Sequence, residues 1–82
     1  MAVEHSVKDL LLYIARNLVE DPDAVTVTEV EGGQELTLEL RVAPSDMGKV
    51  IGRQGRIAKE IRTLVRSYAQ RTGQKVSVDI ID

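Results

Sequence analysis

Val50-Ile51-Gly52-Arg53-Gln54-Gly55-Arg56-Ile57 is the stretch on which the reading of this chain turns. Two glycines bracket a cation and an amide, with β-branched residues before and after. Glycine adopts positive φ and carries no Cβ, so this spacing predicts a sharp turn whose backbone a ligand can approach closely. After the turn, Ile57, Ala58, Ile61, Leu64, Val65 and Tyr68 fall on one arc at about 100° per residue, with Arg56, Lys59, Arg62 and Arg66 opposite. That pattern predicts a helix from Arg56 to about Thr72, stopped by Gly73 in the C′ role. Before the turn, Pro44 ends a strand, Ser45 or Asp46 caps, and Met47, Val50 and Ile51 give a short helix its apolar residues.

Outward from this centre the elements are regular. Ser6, with Asp9 three residues on, is a weak capping box. Val7, Leu10, Leu11, Ile14, Ala15 and Leu18 then recur at helical spacing, and Pro22 predicts an end near Glu20. Leu12 and Val19 widen the apolar stripe to roughly half the helix circumference. Val25 to Glu31 reads as a strand, Gly32-Gly33 as a hairpin turn, and Gln34 to Val42 as a second strand. In the second strand Leu36, Leu38, Leu40 and Val42 alternate with Thr37, Glu39 and Arg41, so one sheet face is covered and the other wet. Val76, Val78 and Ile80 mark a last strand.

The order is α-β-β-α-α-β. Two helices separate the middle strand from the last, a crossover long enough to make those strands parallel, while the hairpin strand pairs antiparallel on the other side. The prediction is an α+β fold with a three-stranded mixed sheet and three helices on one face. At 82 residues, one domain spanning 1–82 is expected.

Composition excludes several functions. The absence of cysteine removes disulfides, thiolate metal sites and thiol nucleophiles. His5, the single histidine, stands near the N-terminus, and no nucleophile–base pair or metal-ligand spacing occurs. Gly48-Lys49 does not end a phosphate-binding P-loop, because Val50 stands where Ser or Thr is needed. No cofactor and no enzymatic activity are expected. No apolar run approaches a membrane span and no signal-peptide pattern opens the chain, so no membrane insertion and a cytoplasmic location are expected.

The net charge of −2 conceals a division. Residues 1–43 hold three basic and nine acidic side chains, net −6, whereas residues 44–75 hold eight basic and two acidic, net +6. The positive charge surrounds the glycine pair. A helix N-terminus there adds unpaired N–H groups and a positive dipole end, so the turn is read as a phosphate-binding site. Phe and Trp are absent and Tyr occurs twice, which argues against single-strand binding by ring stacking.

These residues resemble a KH domain, the RNA-binding module whose G-x-x-G loop clamps about four nucleotides. The likeness is carried by Val50 to Ile57 and continues through Ala58-Lys59-Glu60-Ile61-Arg62. The element order resembles the bacterial, type II arrangement. With Val42-Ala43-Pro44-Ser45-Asp46-Met47-Gly48-Lys49 before the loop, the whole chain closely resembles the KhpA family of small bacterial RNA-binding proteins. The resemblance implies that Gly52, Arg53, Gln54 and Gly55 hold phosphates, with Lys49, Arg56 and Lys59 adding charge. It implies that Val50, Ile51 and Ile57 floor an aliphatic groove, walled by the middle strand near Leu40 to Val42. It further implies single-stranded RNA as partner with low sequence selectivity, and a role as RNA chaperone or post-transcriptional regulator linked to envelope growth. Self-pairing into a homodimer and pairing with a KhpB (Jag or EloR) type protein are implied too. A protein-interaction module working through such pairing is the alternative function.

Overall fold

A computed structural model describes residues 6–82; His5 lies outside the described residues. The chain runs α1 (Val7–Leu18), β1 (Thr26–Gly32), β2 (Glu35–Arg41), α2 (Met47–Ile51), α3 (Arg56–Arg71) and β3 (Lys75–Ile81), with 3-10 turns at Pro22–Ala24, Pro44–Asp46 and Arg53–Gly55. The sheet order is β1-β2-β3. β1 is antiparallel to β2, and β2 is parallel to β3, as the crossover length requires. α1 and α3 lie on the sheet and against each other, and α2 packs against both helices.

The pleat decides what is buried. Leu38 and Leu40 of β2, flanked by Val27 on β1 and by Val76 and Val78 on β3, point into the helices and are buried. They meet Val7, Leu11 and Ala15 from α1, Val50 from α2, and Ile61, Val65 and Ala69 from α3 in one hydrophobic cluster. The reverse face carries polar rows such as Thr28, Glu39 and Asp79, and Thr37 Oγ1 lies 3.2 Å from Ser77 Oγ across the β2–β3 pair.

The helix ends follow the expected chemistry at α1's start and α3's finish. Ser6 Oγ accepts the Asp9 N–H at 3.1 Å. Beyond α3, Gly73 sits at φ +73°; its N–H reaches Gln70 O at 3.2 Å, and the Gln74 N–H reaches Ala69 O at 3.0 Å. That pair of bonds is a Schellman motif.

Several expectations are corrected. α1 stops at Leu18, not near Glu20, because Val19 is already extended and the next two amides bond elsewhere. The hairpin turn is Gly33-Gln34, not Gly32-Gly33: Gly32 pairs with Glu35, and only Gly33 has positive φ, +67°. Leu18 and Leu64, placed on apolar stripes by spacing, are 37% and 55% exposed. Leu64 lies at the margin of its arc, where α3 turns away from the sheet.

Candidate nucleic-acid interface

α2 is only five residues long and ends where Gly52 takes φ +75° and ψ 177°. That region is essentially restricted to glycine. Gln54 (φ 55°, ψ 25°) and Gly55 (φ 73°, ψ 16°) then follow in left-handed conformation, and α3 begins at Arg56. The turn is closed by Gly52 N–H to Gly48 O at 2.9 Å and Gly55 N–H to Gly52 O at 3.2 Å. Arg53 and Gln54 amides donate to no backbone acceptor among the described residues. A left-handed glutamine costs roughly 1–2 kcal/mol, which the surrounding structure must offset.

The two glycines do different things. A Cβ on Gly52 would lie 2.6 Å from Ile57 Cγ1, so this glycine is required by contact within the turn. The expectation that both glycines serve ligand approach is corrected there. A Cβ on Gly55 would meet nothing within 4 Å, so the outer side of the turn is open.

The exposed residues of the turn are Arg53, Gln54 and Arg56, with Lys59 exposed one turn into α3. Arg56 Nη2 donates to Gln54 Oε1 at 3.4 Å, which draws its guanidinium toward the turn. The ion pairs found among the described residues leave Arg53, Arg56 and Lys59 without a carboxylate partner. α3 has no side-chain cap at its N-terminus, so its positive end faces outward beside these cations.

Other expected site residues sit behind this surface. Val50 is fully buried and belongs to the core, so it cannot floor a groove; Leu40 is likewise core and cannot wall one. Ile51, 37% exposed, and half-buried Ile57 supply the accessible apolar surface beside the turn. The Lys49 ammonium is engaged in ion pairs, 3.3 Å from Asp46 Oδ1 and 3.8 Å from Glu20 Oε1. Arg62 Nε donates to Val78 O at 3.2 Å, so its guanidinium is held against the edge of β3.

From its position Asp46 is expected at most to cap α2, and it makes no such bond. Its carboxylate is buried and instead accepts the N–H groups of Glu20 (3.2 Å) and Asp21 (3.1 Å) together with the Lys49 ammonium. Burial pushes the carboxyl up, but the two amides and the ammonium outweigh it and hold Asp46 below the usual carboxylate range. This clasp ties the segment after α1 to the start of α2, and so fixes the helix that delivers Gly52. The Asp46–Lys49 spacing is visible in the sequence; the partners 25 and 26 residues away are not.

The fold is matched by known proteins. The family model described as "KhpA/KhpB, KH domain" matches residues 8–80. The chain belongs to the KhpA/KhpB KH-domain family. It is 57% identical over 74 residues to the RNA-binding protein KhpA of Clostridium acetobutylicum, covering 90% of this chain and 99% of that protein. Identity to KhpA of Caldanaerobacter subterraneus subsp. tengcongensis is 55% over 73 residues, 89% of this chain and 97% of the relative. KhpA of Aquifex aeolicus is 42% identical over 77 residues, 94% of this chain and 98% of that one. Among solved structures, a point variant of Aquifex aeolicus Era bound to GDP and aluminium fluoride superposes with a TM-score of 0.57 at 22% identity. That match covers 98% of this KH domain but 32% of the Era chain, and at such identity it speaks for the fold alone. The relatives carry RNA-binding names, not enzyme names. Among the described residues no group of His, Asp and Glu is placed to hold a metal ion, and no helix is long and apolar enough to cross a membrane.

Proposed function

We propose that this KH domain binds single-stranded RNA at the turn between α2 and α3, with little sequence selectivity. The observation that carries the reading is the outward-facing left-handed turn, open at Gly55 and flanked by unpaired Arg53, Arg56 and Lys59. Amides of Arg53 and Gln54 and the N-terminus of α3 receive phosphate oxygens, and the cations neutralise them. Ile51 and Ile57 offer apolar contact to the bases. Lys49 and Asp46 act from behind, by holding α2. The names of the close relatives support RNA as the ligand.

In this reading residues 1–82 act as one domain and not as an enzyme, in the cytoplasm, as an RNA chaperone or post-transcriptional regulator connected with envelope growth. Amide shifts in a 15N-labelled sample titrated with a short unstructured RNA test it. The shifts are expected to centre on residues 52–59; shifts confined to the sheet would contradict it.

A second reading is favoured by the apolar hollow of about 330 Å³ lined by Asp9, Leu10, Tyr13 and Tyr68, beside a 68% exposed Tyr13. Here the domain works as an interaction module, pairing with itself or with a KhpB-type protein. Light scattering after size exclusion, on the chain alone and mixed with a KhpB-type protein, separates the two readings: a chain that binds RNA but stays monomeric in both samples excludes pairing as the main activity.

A further inference from the structure

The positive charge does not end at the turn. Numbered from Arg56 at 100° per residue, Lys59, Thr63, Arg66 and Gln70 fall with it inside a sector of about 80° on the outer side of α3. All five are exposed. Arg56, Lys59 and Thr63 line one shallow hollow; Arg66 and Gln70 line the next, together with Lys75 at the start of β3. From Arg56 to Arg66 the helix rises about 15 Å. None of Arg56, Lys59, Arg66 and Lys75 has a carboxylate within ion-pairing distance among the described residues. Two acidic side chains border the stripe, Glu60 in the first hollow and Glu35 in the second. Arg62, the remaining cation of this stretch of helix, is withdrawn to the Val78 carbonyl. The acidic residues are gathered largely on other elements: Glu20, Asp21 and Asp23 after α1, Glu29 and Glu31 on β1, and Glu39 and Asp79 on the open face of the sheet.

We propose that an RNA strand leaving the turn continues along the outer side of α3, its phosphates following Lys59, Arg66 and Lys75, so that the footprint exceeds the few nucleotides held by the turn. This rests on the RNA reading of the turn and extends it. The occupant is a polyphosphate backbone because the stripe offers spaced, unpaired cations and hydroxyl and amide groups. Apolar surface is confined to one end of the stripe: Leu64, 55% exposed, borders the first hollow, whereas Val76 in the second is buried, so spaced cations and not a continuous apolar face run its length.

Affinity alone does not test this, because a longer RNA also offers more registers to a short site. Register multiplicity raises the binding constant without changing its salt dependence, whereas each added phosphate contact steepens the slope of log K against log salt by about 0.7. The experiment therefore compares a 4-nucleotide and a 12-nucleotide unstructured RNA at several salt concentrations, with the unaltered chain and with Arg66→Gln/Lys75→Gln. Both substituted side chains are exposed and outside any ion pair, so the fold is retained, and thermal unfolding verifies it. The 12-mer is expected to show a slope steeper by about 1.5–2 than the 4-mer. The double substitution is expected to remove about 1.4 of that slope and roughly tenfold in 12-mer affinity at low salt, leaving the 4-mer unaffected. Equal slopes for the two lengths, or a 12-mer slope indifferent to the substitutions, would overturn the extended path while the turn still binds. Failure of both RNAs to bind the unaltered chain would overturn the RNA reading itself, and the path with it.

Discussion

Gly52 is packed against Ile57: the Cβ that Gly52 lacks would stand 2.6 Å from Ile57 Cγ1 and 2.9 Å from its Cδ1. The first glycine of the turn is thus held by its own neighbour five residues on, and the second, Gly55, faces open space. Gly52→Ala is expected to cost about 3 kcal/mol, combining a glycine-only backbone region with overpacking. Gly55→Ala is expected to cost only about 1 kcal/mol, the ordinary penalty of left-handed backbone. Urea unfolding of the two variants measures the difference. Trimming the neighbour in Gly52→Ala/Ile57→Ala relieves the steric part, so the double variant is expected to show less than the sum of the two single losses.

Asp46 predicts an acid dependence. Its folded carboxyl lies below the usual range, so its contribution to stability is complete above the unfolded value of about 3.9 and is lost as pH falls through the lower folded value. Unfolding measured from neutral pH downward is expected to show a decline below about pH 4 that is blunted in Asp46→Asn. Asp46→Asn keeps one acceptor oxygen for the Glu20 and Asp21 amides; Asp46→Ala keeps none and is expected to be the less stable at neutral pH.

How much of this is legible in the sequence depends on distance along the chain. Strand alternation, the parallel crossover, the Gly73 stop and the helix faces apart from Leu18 and Leu64 follow from regular patterns, and they read correctly. The hairpin register does not. Moving a two-residue turn by one position shifts the strand pairing by two, so Val27 faces Leu38 or Leu40 with the same alternation. Two adjacent glycines permit either turn, and the pairing of Gly32 with Glu35 settles it only in the folded sheet. The Asp46 clasp and the Arg62 bond to Val78 are invisible for a related reason, since their acceptors and donors are backbone groups that carry no side-chain signature. At the turn, spacing reveals the glycines and cations. It cannot separate a glycine required by Ile57 from one left open to solvent, nor show that Lys49 is engaged and Val50 fully covered.

Arg62 gives a contrast between charge and contact. Its guanidinium bonds the Val78 carbonyl at 3.2 Å, so Arg62→Ala is expected to lower stability by about 1 kcal/mol. The same substitution is expected to leave the salt slope of RNA binding unchanged, whereas Arg53→Ala reduces it by about 0.7. Chemical denaturation and anisotropy titrations on the same two proteins check both halves.

The core predicts a steep gradient across one sheet. Leu38 is fully buried between the sheet and the helices, and Leu38→Ala is expected to cost about 2–5 kcal/mol. Val30, 44% exposed near the hairpin, is expected to tolerate Thr within about 0.5 kcal/mol. Thermal unfolding distinguishes them readily, since about 1 kcal/mol moves the midpoint of a domain this size by roughly 4–8 °C.

The central claim is that the exposed turn holds the phosphates, and the most direct measurement is RNA affinity of Arg53→Asp/Gln54→Asp. Both side chains are exposed, and aspartate tolerates the left-handed backbone at position 54, so circular dichroism and unfolding temperature are expected to stay close to the unaltered chain. The account predicts that this folded protein loses at least about tenfold in affinity for a short single-stranded RNA. A folded double variant that binds the same RNA with unaltered affinity would place the site elsewhere on the molecule.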